Sequence, residues 1–249
     1  MSLITVLIIG AISGMLVNYF SDVLPVSRHF DRPSCAHCGD KFSMIEYLTF
    51  QKCPACGQER SIRAFVVITF AVAFTLFLYY FPFSDLSLWA SLPILIYLGS
   101  ILVIDYEHRL VLYQTSIFGF VLFLLYGVVL HGLSAALVGG IVGLSIMLVF
   151  YFLGIGFSKV MGNLRHREIE EVAFGFGDVC LGTILGLLTG WPGIMGAFII
   201  SMIAFVAFSF IYLLILIILG KYRAFSNTLP FTFFLVFGAI TIFYLSFIL

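Results

Sequence analysis

Residues 92–105 read Leu-Pro-Ile-Leu-Ile-Tyr-Leu-Gly-Ser-Ile-Leu-Val-Ile-Asp, a run without a charge until its last residue, Asp105. With the apolar residues before it, the run is long enough to cross the roughly 30 Å hydrocarbon core of a bilayer as a helix. A charged side chain inside that core costs roughly 3 kcal/mol, so an acid at the end of such a helix marks a functional position by default. A second acid has the same setting: Asp178 closes Gly175-Phe176-Gly177-Asp178 and opens another apolar stretch. These two carboxyls decide how the chain is read.

The composition agrees with spans of this kind. Of 249 residues, 62% are hydrophobic and only 10% charged, with 29 Phe and a mean hydropathy of +1.18. A water-surrounded domain does not have this balance. The reading is an all-α polytopic membrane protein whose partner surface is the lipid bilayer. A formal net charge of zero argues against a nucleic-acid partner. Apolar runs near 3–20, 64–82, 88–104, 114–131, 134–157, 194–219 and 231–248, plus a shorter one at 178–191, give about eight transmembrane helices. The first run has neither a basic n-region nor a small-residue cleavage site, so it is read as a retained span.

The basic residues set the orientation. All 12 Lys and Arg fall in four segments: 28–63, Arg109, 159–167 and 221–223. The alternate connections, near 83–87, 131–134 and 190–193, carry none. By the positive-inside rule the four basic segments face the cytoplasm and both termini lie outside. The domain reading that follows is a first span over 1–20, a cytoplasmic insert over 21–63, and a multi-span region over 64–249.

The insert contains Cys35-Ala-His-Cys38-Gly39 and Cys53-Pro-Ala-Cys56-Gly57. Two Cys-x-x-Cys pairs offer four thiolates, the donor set of a structural tetrahedral zinc site, and the glycine after each pair permits a tight turn. Cys35, Cys38, Cys53 and Cys56 are therefore the expected ligands of a structural Zn2+. Two disulfides are the alternative, and a cytoplasmic loop disfavours them. Four sulfur ligands leave no open position for catalytic water. His37 is read as solvent-facing, and Cys180 as a small hydrophobe.

Asp105 and Asp178 both fall on the cytoplasmic side of their helices in this topology, which a catalytic pair requires. Two carboxyls close together in a low dielectric share a proton. The ionised one can deprotonate water while the protonated one polarises a peptide carbonyl. Gly175 and Gly177 would leave an extended, closely approachable backbone beside the acid, where a substrate strand could pair. From the residues alone, a helix cap or a proton pathway would use the same positions. Asp22, Asp31, Asp40, Glu46 and Glu59 are read as the solvated face of the insert. Glu107, His108 and Arg109 adjoin Asp105, where they either tune it or face water. Gly139, Gly140 and Gly143 read as close helix packing.

Taken together, these elements resemble the bacterial type IV prepilin peptidases. Gly14-Met-Leu-Val-Asn18 with Leu24-Pro25 is similar to the family's opening segment, and the paired Cys-x-x-Cys loop follows it. Ile104-Asp105-Tyr-Glu-His-Arg-Leu-Val111 resembles the element carrying the first aspartate. Gly175-Phe-Gly-Asp-Val-Cys-Leu-Gly-Thr-Ile-Leu-Gly186 is similar to the Gly-x-Gly-Asp element carrying the second, and Thr228-Leu-Pro230-Phe231 to a late segment.

The resemblance implies an integral membrane aspartic endopeptidase in the bacterial inner membrane. Asp105 and Asp178 would be catalytic, with the active site facing the cytoplasm. The implied substrates are the leader peptides of type IV prepilins or pseudopilins. Many members also N-methylate the new N-terminus with S-adenosylmethionine. Here the family's Arg before Leu-Pro is Val23, and apolar residues around Val67 and Ile68 replace an expected Glu, so methyl transfer stays open. Cys180 stands where a Lys is usual, and Leu112-Tyr113 replaces Pro-Asp. An inactive zinc-ribbon pilus assembly factor and a proton-coupled transporter are the competing classes.

Overall fold

The computed structural model describes residues 2–35, 37–82, 86–165, 175–220 and 231–248, with side chains described outside 160–165 and 244–248. The basic-then-acidic connection around 166–174, Asp85, and the segment with Lys221, Arg223 and Pro230 lie outside the described residues. Among those described, the chain is helical, with one isolated antiparallel bridge between Ser34 and Lys41. It divides into two compact units, 1–112 and 113–249.

The first unit contains α1 (Leu3–Ser27), α2 (Met44–Leu48), α3 (Ile62–Tyr80) and α4 (Leu88–His108). Serines start these helices: Ser2, Ser43, Ser61 and Ser87 accept N–H bonds from Thr5, Glu46, Arg63 and Ala90. A serine Oγ at this position satisfies one of the amides that a helix start leaves without a partner. α1 does not stop where its apolar run ends near Phe20 but continues to Ser27, with Pro25 inside it. α1 lies against both α3 and α4. Contact with α3 is backbone-close: a Cβ on Gly14 would sit 2.7 Å from the Cα of Ile68. Small residues on one stripe are the usual means of such approach between apolar helices.

The second unit contains α5 (Tyr113–His131), α6 (Leu133–Arg165), α7 (Phe176–Thr189), α8 (Gly193–Ile218) and α9 (Thr232–Ile248). α7 is its centre and touches all four others. Its Leu181, Ile184, Leu185, Leu187 and Leu188 are almost wholly enclosed. The expected glycine packing is present between α6 and α7: a Cβ on Gly139 would lie 2.4 Å from the Gly186 carbonyl oxygen, and one on Gly143 would lie 2.3 Å from that of Gly182.

Among the described residues, six helices are long and apolar enough to cross a membrane: α1, α3, α4, α5, α6 through Lys159, and α8. α7 and α9 are apolar but shorter. The 14 residues of α7 rise about 21 Å, less than the hydrocarbon thickness. On α8, Ile199, Ile203, Val206, Phe210, Leu214 and Ile217 form an exposed stripe at helical spacing. Such a stripe suits hydrocarbon rather than water, and the six helices together point to a multi-pass membrane protein.

Candidate active site

Asp105 lies in the last turn of α4, half-buried, directly after Ile104, which is enclosed. The helix ends on Arg109, which adopts the left-handed conformation (φ 50°) and returns its N–H to the Asp105 carbonyl at 2.9 Å. That closure is a common helix C-terminus, and it fixes the backbone from which the Asp105 side chain projects.

Asp178 lies in the first turn of α7 and belongs to the second unit. Its Oδ2 accepts the N–H of Gly175 at 3.1 Å, while its own N–H donates to the Gly175 carbonyl at 3.1 Å. This reciprocal pairing is a capping arrangement with glycine at the cap position. Its Oδ1 accepts the hydroxyl of Thr232 at 3.1 Å, from the start of α9. Thr232 is 1% exposed. Two donors from different elements therefore orient one carboxylate. Gly175 is extended and exposed, and among the described residues a Cβ there would meet nothing nearer than the Gly177 nitrogen at 3.9 Å. That opening suits a second backbone. Gly177 differs from Gly175, since it is already inside the first turn of α7.

The cysteine loop folds as two copies of one knuckle. Gly39 and Gly57, at φ 76° and 70°, donate their N–H groups to the carbonyls of Cys35 and Cys53 at 2.9 and 2.8 Å. Only glycine takes this backbone conformation at little cost. The N–H groups of Cys35 and Cys53 donate to the carbonyls of Asp40 and Gln58 at 2.8 and 3.0 Å. The four Sγ atoms lie within 4.8 Å of one another, with Cys35–Cys56 at 3.7 Å and Cys38–Cys53 at 3.6 Å. A tetrahedron with bonds of about 2.3 Å has edges of about 3.8 Å, so the set fits zinc. Disulfides need sulfurs about 2.05 Å apart. Backbone N–H groups of Cys38 and then His37 point at the Cys35 sulfur and bring its thiol down to about 6. These four cysteines can hold a metal such as zinc.

The loop is fastened to the helices by a cluster of aromatic and charged side chains. Cys35, Phe42, Tyr47 and Cys53 form its buried core, with Tyr19 of α1 against it. The Tyr47 hydroxyl donates to Asp22 Oδ2 at 2.5 Å. Burial, and next the charge of Asp22, push that phenol well above its ordinary range, so it remains a donor. The Arg60 guanidinium lies 3.9 Å over the Tyr47 ring and 3.6 Å from Asp22 Oδ2. Arg63 donates from one terminal nitrogen to Asp22 and from the other to Glu107.

This cluster corrects the reading of Asp22 as part of a solvated face. Asp22 is on α1, its side chain is 24% exposed, and it carries three partners. Glu107 is likewise an ion-paired residue rather than merely a water-facing one. Thr232 and Arg63 were not legible as site residues, because their bonds depend on tertiary proximity. His37 is exposed, as expected, and Cys180 is half-buried.

Residues 90–210, just under half of the chain, match the model of the Type IV leader peptidase family. Comparison with curated proteins and with solved structures gives no match. The matched segment runs from α4 into α8 and contains Asp105, the Gly175-Phe176-Gly177-Asp178 turn and the glycine-packed helices around it. A leader peptidase family implies peptide substrates and hydrolysis. The sequence motifs and this match together support a prepilin peptidase-type family for the chain.

Proposed function

We propose that the protein is an integral membrane aspartic endopeptidase that removes the leader peptides of type IV prepilins or pseudopilins at the cytoplasmic face of the bacterial inner membrane. The observation that carries this reading is the oriented carboxylate of Asp178 beside the open backbone of Gly175, within a segment matching leader peptidases. Asp105 is its proposed partner. One carboxyl, ionised, takes a proton from water as the oxygen attacks the scissile carbonyl carbon. The other, protonated, donates to the carbonyl oxygen to give a gem-diol. As the C–N bond breaks, the proton held by the first passes to the leaving amine. The second takes its proton back from a diol hydroxyl, which becomes the carbonyl of the new carboxyl group. Peptide hydrolysis by this route leaves the pair ready for another water.

In this reading α7 and α9 complete eight crossings, and both termini lie outside. Zinc on Cys35, Cys38, Cys53 and Cys56 folds the insert and takes no part in the proton transfers. Methyl transfer from S-adenosylmethionine is a separate activity of the family, which mass measurement of the product N-terminus would detect.

The test is incubation of the full-length protein, in lipid, with a synthetic peptide that joins a basic leader to an apolar helix. A single cut just before the apolar segment supports the proposal. Ion flux without a peptide product indicates the transporter class, and binding without cleavage the assembly factor.

A further inference from the structure

We infer that Arg63 is a positioning residue that ties the Asp105 end of α4 to the metal-binding insert, so that metal occupancy sets the order of that helix end. The consequence for catalysis rests on the proposed role of Asp105, whereas the coupling itself does not.

The path is continuous within the first unit. Tyr47 shares the insert core with the ligand positions Cys35 and Cys53. Its hydroxyl reaches Asp22 at 2.5 Å, and Arg60 packs over its ring. Arg63, at the start of α3, bridges Asp22 and Glu107. Glu107 lies two residues after Asp105 in the turn closed by the Arg109 cap. The side chains of Asp22, Arg60, Arg63 and Glu107 are 24, 11, 22 and 28% exposed, so water screens them only in part.

Two features distinguish this cluster from an incidental surface pair. First, its charges balance: two carboxylates face two guanidiniums, and removing any one leaves a half-buried charge with reduced compensation. Second, the Nε of Arg63 is buried without a hydrogen-bond partner among the described residues, while both terminal nitrogens are committed to acids. The side chain gives up one donor to span two helices. Only the planar fork of arginine can hold both carboxylates at once, a geometry that lysine does not reproduce.

A metal that tightens the knuckles should therefore fix Tyr47, through it Asp22, and through Arg63 the last turn of α4. Without metal the insert core loosens, and the helix end loses this anchor. Local order at a helix end responds to the loss of such tertiary anchors.

Hydrogen exchange of the full-length protein in lipid nanodiscs tests the coupling, with zinc bound or removed by a chelator. In the wild type, chelation should speed exchange in residues 103–108 by about tenfold. In Glu107→Gln and Arg63→Lys, exchange there should already be fast with zinc bound, and chelation should add little. An α4 end unmoved by chelation in the wild type, or protected normally in both variants, overturns the inference. In peptide cleavage the same variants should lose kcat by about tenfold at unchanged KM, because substrate contacts are intact. A fall in affinity alone would contradict the positioning role. If nothing is cleaved while the helix end still loosens, the peptidase reading fails and the coupling stands.

Discussion

The Thr232 hydroxyl donates to Asp178 Oδ1 at 3.1 Å, joining the start of α9 to the first turn of α7. The threonine is enclosed and the carboxylate half-buried, so the bond is partly shielded from competing water and constrains which way the carboxylate faces. Thr232→Val removes the donor and keeps the shape. A bond of this kind contributes about 1–2 kcal/mol, so kcat for leader cleavage should fall roughly tenfold. Thr232→Ser should restore most of it. Steady-state kinetics of the two variants provide the check.

The insert depends on its four thiolates. Stripping zinc should unfold residues 30–60 and expose Tyr47, read by tyrosine fluorescence and by exchange protection. Cleavage should decline as the insert unfolds rather than at the moment of chelation. Instant loss with an intact insert would place the metal in the chemistry instead.

Acid should weaken metal binding from neutral pH downward, most steeply below about 6. The Cys35 thiol is held down to about 6 by backbone N–H groups, below its ordinary value, so the thiolate form is favoured at neutral pH. As pH falls through about 6 the proton returns to sulfur and competes with the ion. The thiols of Cys38 and Cys56 are instead raised above their ordinary value, with burial opposing their ionisation, so they release protons on binding. Zinc affinity should rise continuously from pH 6 to 8, by roughly tenfold per pH unit for each proton released, and fall more steeply below 6 as Cys35 is protonated too. Competition titrations with a zinc indicator measure this directly.

Gly186→Val should destabilise the second unit. A Cβ at this position would sit 2.3 Å from the Gly139 carbonyl oxygen and 2.9 Å from its carbon, both rigid backbone. Separating α6 from α7 should cost about 1–3 kcal/mol or more, seen as a lower thermal midpoint in detergent. Gly156→Val is the control, since a Cβ there meets nothing within 4 Å among the described residues.

Local patterns carried much of this architecture. The knuckles were readable because cysteine, spacing and the positive-φ glycine lie within five residues of one another. The α6–α7 contact was signalled by Gly139-Gly140-x-x-Gly143, since small residues at helical spacing have few other uses in an apolar helix. Other features depended on the fold. Hydropathy falls after Phe20, yet α1 continues to Ser27, and so Asp22 is held on a helix rather than in the insert. Nothing near Asp22 indicates Arg63, 41 residues later, and nothing near Asp178 indicates Thr232, 54 residues later. The run at 178–191 has the apolarity of a span, but α7 is short and enclosed on nearly every side. Its composition therefore reflects packing against four helices as much as contact with lipid.

The most direct measurement is leader cleavage by Asp105→Asn and Asp178→Asn, each purified full-length and verified as folded by exchange protection of α7. Each substitution should lower kcat by at least about a thousandfold, because an amide can neither take the proton from water nor donate and recover one at the carbonyl oxygen as the partner carboxyl does. A folded variant of either kind that still cleaves the leader at a rate near wild type would contradict the aspartate pair.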